Sequence, residues 1–248
     1  MRSAFIDSSS NSASLIVAHG PEFLFGDRYT DVMPLPKTVV VPPDWVRAQN
    51  PALWLTPGEM EIYTTWASEK RRSEWLAGRL AAKKLLQEEL SLSPLGWQIG
   101  RDGVAPAIAG CNVPNLALSL SHSDGFGAAT ISDTRAEGSA GIDVQRVRPV
   151  HPGLCARVFT QGEQEQIAAQ FGSENSADGM LLFWALKEAA IKARRKPWDR
   201  PLRCIAVYLE GAGSATVILE TAQILTAHYT RLDEKQGSWW LARAVLRP

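Results

Sequence analysis

Apolar and polar residues alternate over several short stretches of the chain, which predicts β-strands. The stretches LALSLSHS (residues 116–123) and FGAATIS (126–132) are separated by Asp124 and Gly125, so they are expected to pair as a hairpin. Alternation returns beyond residue 202, in CIAVYLE, ATVILE and WWLARAVL. The C-terminal part of the chain is therefore expected to contain several antiparallel strands.

A further short strand is predicted at GIDVQRV. Period-two alternation puts Ile142 and Val144 on one face of this strand and Asp143 and Gln145 on the other. Gly141, directly before them, permits close approach of another backbone. An aspartate near the start of a strand is usually a turn or capping residue, and a metal ligand is the alternative.

Helix starts are indicated by capping boxes. Thr56, Pro57 and Glu59 occupy the N-cap, first and third positions of a helical region that reaches about Leu90, with a break near Ser68. The proline-rich first 55 residues are expected to form strands and extended connections.

The second part of that helical region, SEKRRSEWLAGRLAAKKLLQEEL, places Arg72, Trp75 and Arg79 on one face. On a basic face of this kind the charged groups are commonly solvated, while the aliphatic parts of the arginine side chains cover apolar neighbours. A ligand-binding role for Arg72 and Arg79 is the alternative that the spacing leaves open.

Two more helices are predicted in the C-terminal half. Thr160 and Glu163 form a second capping box, and a longer helix is expected from Met180 to about Arg195, after a loop at SENSADGM. Its sequence MLLFWALKEAAIK is apolar on every side. Such a helix is normally buried.

Three charged side chains interrupt this apolar helix: Lys187, Glu188 and Lys192. Glu188 and Lys192 lie on one stripe, four residues apart, as a surface ion pair would. Buried charges need partners or a ligand, so a functional site is favoured here. If Asp143 converges on Glu188, the two carboxylates would suit Mg²⁺, which takes one or two carboxylates with waters and substrate phosphates.

The segment SLSHS places Ser121 and His122 at the end of a predicted strand. His122 continues the phase of the preceding leucines, which favours a histidine packed in the core. The alternative is a phosphate-contacting site built from hydroxyls, imidazole and backbone N–H groups. The sequence has no G-x-S-x-G elbow and no Walker A loop, which argues against a hydrolase or P-loop ATPase.

Composition and charge further limit the functions and the fold class that the sequence allows. Lysines plus arginines and aspartates plus glutamates each total 26, so the net charge of zero argues against nucleic-acid or anionic membrane binding. Three cysteines without a C-x-x-C pair fit a reducing cytoplasm, and no stretch approaches the roughly 20 apolar residues of a membrane span. Helices and antiparallel strands in each half predict an α+β protein with lobes at residues 1–137 and 138–248.

In order along the chain, RRSEWLAGRLAAKKLL, SLSHS, GIDV and FWALKEAAIKA resemble the 4′-phosphopantetheinyl transferases, most closely the Sfp-type group. The family signatures are an SxSHS element, a GxD strand and a (W/F)xxKExxxK helix, which residues 184–192 match fully. The resemblance covers about residues 71–196. It implies two similar lobes in one chain (a pseudo-dimer), each with an antiparallel sheet and a long helix, and a ligand cleft between them.

The resemblance also implies an activity. The enzyme would be a cytoplasmic, Mg²⁺-dependent monomer with coenzyme A as co-substrate. It would transfer the 4′-phosphopantetheine arm to a serine of an apo acyl, peptidyl or aryl carrier protein and release adenosine 3′,5′-bisphosphate. Polyketide and nonribosomal peptide biosynthesis are the expected settings.

The resemblance assigns roles to particular residues. Asp143 and Glu188 would hold Mg²⁺, Glu188 would also accept the proton of the carrier serine, and Lys192 would stabilise charge on the transferred phosphate. These three are the expected catalytic residues. Contacts with coenzyme A are expected from Arg72 or Arg79 and from Ser121, His122, Lys187 and Lys192.

The sequence departs from the family pattern at two places. Many Sfp-type members have an acid where this chain has Gln145, whose amide oxygen can coordinate a hard cation without adding charge. Gln145 is therefore expected to be a weak metal ligand. The family also often has a basic residue before the proline of a turn ahead of SHS; RDGVAPAI has none there, and Arg101 is a possible substitute.

Other interpretations stay open. The basic segment RRKPWDRPLR, residues 194–203, is either a docking surface for an acidic carrier protein or a solvated run of charge. The chain could instead be another coenzyme A-binding, Mg²⁺-dependent phosphotransferase, or an inactive module that binds carrier proteins. The intact motif around Glu188 argues against the inactive module.

Overall fold

The computed structural model describes residues 36–110, 113–174, 176–220 and 223–247, so the extended segments expected in the first 35 residues lie outside it. The described strands are β1 Lys37–Val41, β2 Gln98–Asp102, β3 Ala105–Ala109, β4 Leu116–Ser123, β5 Phe126–Asp133, β6 Ser139–Arg146, β7 Ala206–Gly211, β8 Ser214–Glu220, β9 Gln223–Glu234 and β10 Gly237–Leu246. The described α-helices are α1 Pro43–Ala48, α2 Pro57–Thr65, α3 Glu69–Leu90, α4 Pro152–Val158, α5 Gln161–Phe171 and α6 Ser176–Arg194.

Side-chain caps start the helices where the sequence predicts. The Thr56 hydroxyl accepts from the N–H of Glu59, and the Glu59 carboxylate accepts from the N–H of Thr56, which closes the first capping box. Thr160 and Glu163 form the same box at α5. Ser68 caps α3, which explains the break in the long helical region.

Helix α6 begins earlier than predicted. It starts at Ser176 and not at Met180, so the loop expected over SENSADGM is wrong in its second half. Asp178 in this first turn is buried, and its carboxylate accepts from Trp240 and from Arg231. These tertiary contacts stabilise a polar helical turn that local sequence favours as a loop.

The strands pair antiparallel throughout the described residues. One sheet has the order β1-β5-β4, a larger one the order β6-β10-β9-β8-β7, and β2 pairs with β3 separately. The predicted hairpin is β4–β5, whose turn residues Asp124 and Gly125 both have positive φ, as a tight hairpin turn requires.

Each larger sheet is covered by one long helix. Helix α3 packs on β1, β4 and β5, and α6 packs on β6 and β10, which gives two helix-on-sheet cores. A third apolar cluster joins the two sheets and includes Phe126, Ile142 and Trp239. The α+β class with antiparallel sheets and long helices is confirmed. No helix of the described residues is long and apolar enough to cross a membrane.

A row of serine hydroxyls joins the two sheets where β6 lies beside the β4–β5 hairpin. Ser119, Ser121 and Ser123 of β4 accept from the N–H groups of Ile142, Val144 and Arg146, and Ser132 of β5 accepts from Ala140. We call these four side chains the serine seam. The four hydroxyls supply acceptors for the N–H groups on the edge of β6 that does not pair with β10. Without them these buried N–H groups would lack a hydrogen-bond partner, which is strongly disfavoured.

Candidate functional site

Gly141 allows strand β6, which carries Asp143, to pack closely against helix α6, which carries Glu188 and Lys192. A side chain at Gly141 of β6 would place its Cβ 2.1 Å from the carbonyl oxygen of Ala189 and 2.3 Å from the nitrogen of Ala193, both in α6. The absence of a Cβ therefore allows the strand and the helix to approach closely. This approach carries Asp143 to the face of α6 that bears Lys192.

Asp143 is almost fully buried and accepts three side-chain hydrogen bonds. Its Oδ1 accepts from Lys192 Nζ at 2.6 Å and from Ser121 Oγ at 2.7 Å, and its Oδ2 accepts from Gln145 Nε2 at 2.8 Å. Lys192 Nζ also donates to the carbonyl oxygen of Ile142 at 3.1 Å. The structure thus brings Asp143, Gln145 and Lys192, all predicted site residues, into direct contact.

Glu188 is half-buried one turn before Lys192. Burial raises the pKa of Glu188, and the negative charge of Asp143 raises it further, while Lys192 acts in the opposite direction. The two carboxylates are thus close enough to influence each other. Among the described residues, no three His, Cys, Asp or Glu side chains cluster in a way that could hold a metal.

A cavity of about 570 Å³ opens beside Glu188 and Lys192. This volume is in the range of cavities that hold cofactors and other small molecules. Glu188 and residues of both halves line the cavity. The cationic lining residues are Arg79, Arg101, Lys192, Arg195, Lys196 and Arg200. The arrangement favours an anionic ligand with several charges.

The two predicted arginines of α3 lie in different places. Arg79 lines the cavity, with its guanidinium carbon 4.5 Å from the centre of the Trp75 ring. Burial lowers the pKa of Arg79 to about 10, so the group stays protonated at neutral pH. Arg72 instead lies over the ring of Tyr63 at 5.7 Å and is not among the residues that line the cavity.

Lys187 is fully buried and does not face the cavity. Its Nζ donates to Glu163 Oε2 at 2.7 Å and to the carbonyl oxygens of Val158 and Leu202 at 2.8 and 3.2 Å. These three acceptors match the three donors of an ammonium group. The expected contact between Lys187 and coenzyme A is therefore corrected: this lysine belongs to a buried ion pair of the C-terminal half.

Ser121 and His122 differ in their surroundings although they are neighbours. Ser121 is buried and its hydroxyl bonds Asp143 and the N–H of Val144. His122 is exposed, so the interpretation as a core histidine is wrong. Desolvation by nearby groups nevertheless lowers its pKa, which leaves the imidazole neutral near neutral pH. Such a ring offers one donor and one acceptor.

Three cavity cations follow α6 directly: Arg195, Lys196 and Arg200. In the sequence they belong to the basic segment at residues 194–203, predicted to be either a docking surface or a solvated run of charge, and no motif there marks them as cavity residues. Arg195 has a positive φ of 55° after the helix end, and its guanidinium donates to the carbonyl oxygens of Leu118 and Pro106. The basic composition of residues 194–203 is the only sequence signal for them, because the long-range contacts of Arg195 leave no local pattern.

Comparison with known proteins gives one family match. Residues 139–244 match the family model of the 4′-phosphopantetheinyl transferase superfamily, a range that includes Asp143, Glu188 and Lys192. None of the curated proteins compared with the chain matches it.

Two solved structures are similar to part of the chain. A holo-(acyl-carrier-protein) synthase from Bacillus anthracis str. Ames, in complex with CoA (3′,5′-ADP), is 21% identical with a TM-score of 0.34, over 38% of this chain and 90% of that one. The Thermotoga maritima holo-[acyl-carrier-protein] synthase is 20% identical with a TM-score of 0.35, over 44% of this chain and 62% of that one. The similarity to the 4′-phosphopantetheinyl transferase superfamily model thus covers residues 139–244, in the C-terminal part of the chain.

Proposed function

We propose that this protein is an Sfp-type transferase that moves the 4′-phosphopantetheine arm of coenzyme A to a serine of an apo carrier protein. One observation carries the proposal: Glu188 and Lys192 line a cavity together with five further cationic side chains, Lys192 donates to the buried Asp143, and all three residues lie in the range that matches this superfamily. Coenzyme A is a multiply charged phosphate ester, so its chemistry suits such a cavity.

The donor set fits Mg²⁺. Asp143 and Glu188 are two carboxylates that raise each other's energy when both are ionised, and a divalent cation would relieve this repulsion. Gln145, fixed by its bond to Asp143, adds an amide oxygen. Asp143 and Glu188 would hold the ion, with Gln145 as a weak ligand. When bound, Mg²⁺ neutralises charge on the pyrophosphate.

The remaining chemistry belongs to side chains of the chain itself. Lys192 lines the cavity and contacts Asp143, so its ammonium is placed to stabilise charge on the transferred phosphate. Glu188, whose raised pKa makes it a better base than an ordinary glutamate, would accept the proton of the carrier serine directly or through water. Phosphoryl-type transfer depends on such positioning and charge stabilisation, so no protein nucleophile is needed.

Coenzyme A binding is assigned to the cavity cations. Arg79, held against Trp75, is the α3 arginine placed to bind a phosphate of the nucleotide end, and Arg72 is left out because it lies elsewhere. His122 is not among the residues that line the cavity, so its contact with a coenzyme A phosphate stays a prediction. The exposed residues Lys196 and Arg200, beside the cavity, support the proposal that residues 194–203 also receive an acidic carrier protein.

We place the proposed cleft between two similar lobes, residues 1–137 and 138–248. The same order of strand, two short helices, long helix and four strands occurs from β1 to β5 and from β6 to β10. A buried ion pair also occurs in both halves: Lys83 with Glu59, and Lys187 with Glu163. Each glutamate also belongs to a capping box. This repetition supports the pseudo-dimer arrangement.

The proposal is tested by incubating the protein with coenzyme A, Mg²⁺ and a panel of apo acyl, peptidyl and aryl carrier proteins, and then weighing the carriers by intact-mass spectrometry. A gain of one phosphopantetheine arm on at least one carrier is expected. Binding of coenzyme A without any gain would favour another phosphotransferase activity. Binding of a carrier without turnover would favour the inactive module. Either result would reject the transferase.

A further inference from the structure

Ser121 differs from its neighbours in the serine seam because its hydroxyl makes two bonds and not one. Like Ser119 and Ser123, it accepts from a backbone N–H of β6, in its case that of Val144 at 3.3 Å. It also donates to Asp143 Oδ1 at 2.7 Å. The single proton of the hydroxyl is therefore committed to Asp143.

This arrangement argues against direct contact between Ser121 and a phosphate. Ser121 is 5% exposed and does not line the cavity, whereas Ser119, further back on β4, does. A phosphate oxygen can only accept hydrogen bonds, and the one proton that Ser121 has to donate is already used. The residue can influence the reaction only through the group it holds.

Asp143 has a particular need for this bond. The same oxygen that accepts from Ser121 also accepts from Lys192 at 2.6 Å. If Lys192 moves to a ligand phosphate, Oδ1 keeps only its bond to Ser121 on this side. The serine is anchored to β6 by its bond to Val144, so it is a fixed donor, whereas the lysine is on a long flexible stem.

We propose that Ser121 is a positioning residue that fixes the carboxylate of Asp143 for metal binding, and that it does not contact coenzyme A. The proposal rests on the proposed function, because it takes Asp143 as a metal ligand. Second-layer hydrogen bonds to ligating carboxylates typically change metal affinity by about 10–100-fold. The serine seam thus has a structural role throughout and an additional role at this one position.

The test compares Ser121→Ala with the matched control Ser132→Ala, which loses a seam bond of the same kind, to the N–H of Ala140, at a position that neither contacts Asp143 nor lines the cavity. Mn²⁺ binding is measured by electron paramagnetic resonance with coenzyme A present, and coenzyme A binding is measured by calorimetry with a chelator present. Ser121→Ala should weaken Mn²⁺ binding by about 10–100-fold while coenzyme A binding without metal stays at the wild-type level. Ser132→Ala should change neither.

Two further variants keep the test decisive if Ser121→Ala folds poorly. Ser121→Thr retains the hydroxyl donor and should restore Mn²⁺ binding, whereas Ser121→Cys, a weaker donor of similar size, should not. Equal Mn²⁺ affinity in all Ser121 variants, or loss of metal-free coenzyme A binding in Ser121→Ala alone, would overturn the inference. Failure of the wild-type protein to bind Mn²⁺ would instead reject the metal site of the proposed function, and the inference with it.

Discussion

At the scale of single residues, Glu188 is held where its own charge is disfavoured. Because burial and Asp143 raise its pKa, the folded protein binds this proton more tightly than the unfolded chain does. Ionisation of Glu188 therefore reduces the stability of the fold as pH rises above the ordinary carboxyl range towards neutral. Below that range the group is protonated in both states and the penalty disappears.

We therefore expect Glu188→Gln to melt at a higher temperature than the wild type at neutral pH and at the same temperature in acid. The amide has nearly the same shape and no charge to desolvate. Differential scanning calorimetry at both pH values, without divalent metal, measures the difference. A lower melting temperature for Glu188→Gln at neutral pH would mean that the carboxylate is stabilised by contacts that outweigh its burial.

Gln145→Glu tests the weakest part of the proposed metal site. The added carboxylate would lie beside Asp143, where the amide now donates a hydrogen bond. Without metal, repulsion between the two acids should lower the melting temperature. With Mg²⁺ the variant should keep its activity and reach half of its maximal rate at a lower Mg²⁺ concentration, because charge is added to the site. An inactive variant would show that the amide hydrogen bond itself is required.

At the scale of elements, the contact between β6 and α6 decides whether the site forms. A methyl group at Gly141 would collide with backbone atoms of α6, which cannot move aside as a flexible side chain can. Gly141→Ala should therefore unfold the C-terminal half or lower its stability severely. Circular dichroism melts and soluble yield measure this effect.

Gly162→Ala is the matched control, since nothing lies within 4 Å of its added Cβ in α5. This substitution should leave stability unchanged or raise it by up to about 1 kcal/mol, as alanine does in helices. A Gly141→Ala protein as stable as the control would contradict the close packing of β6 on α6.

The buried ion pairs give the second prediction at this scale. Lys187→Met leaves Glu163 charged and unpaired in the interior, and removal of one partner of such a pair costs about 3–5 kcal/mol. Lys83→Met should have a similar effect through Glu59 in the N-terminal half. Urea denaturation measures both variants.

Coenzyme A affinity separates this explanation from a ligand-binding role. The fraction of Lys187→Met that is folded should bind coenzyme A as the wild type does, with calorimetry corrected for the active fraction. A stable Lys187→Met protein that has lost coenzyme A binding would show that Lys187 contributes to coenzyme A binding after all.

At the scale of the whole molecule, local signals predict most of the elements. The capping boxes at Thr56 and Thr160, the hairpin around Asp124 and Gly125, and the alternation at Asp143 depend on contacts within a few residues. Contacts between residues close in sequence leave a recognisable local pattern. The capping boxes, the hairpin and the strand are therefore found where the sequence predicts them.

The missed features depend on contacts between distant residues. The first turn of α6 is stabilised by Trp240 and Arg231 of the last two strands, and the position of Arg195 depends on carbonyl groups of β3 and β4. Lys187 has the same charge whether it faces a ligand or a buried glutamate, so only the packing of α5 against α6 distinguishes the two. Periodicity contains no information about such partners.

The central claim is that the site formed by Asp143 and Glu188 transfers a phosphopantetheine arm. The most direct test is the carrier mass assay run in parallel with wild-type protein, Glu188→Gln and Asp143→Ala, each first shown to be folded. We expect the wild type to add one arm to at least one apo carrier in the presence of Mg²⁺ and both variants to add none. No mass gain on any carrier with wild-type protein, or near-normal turnover by either variant, would contradict the claim.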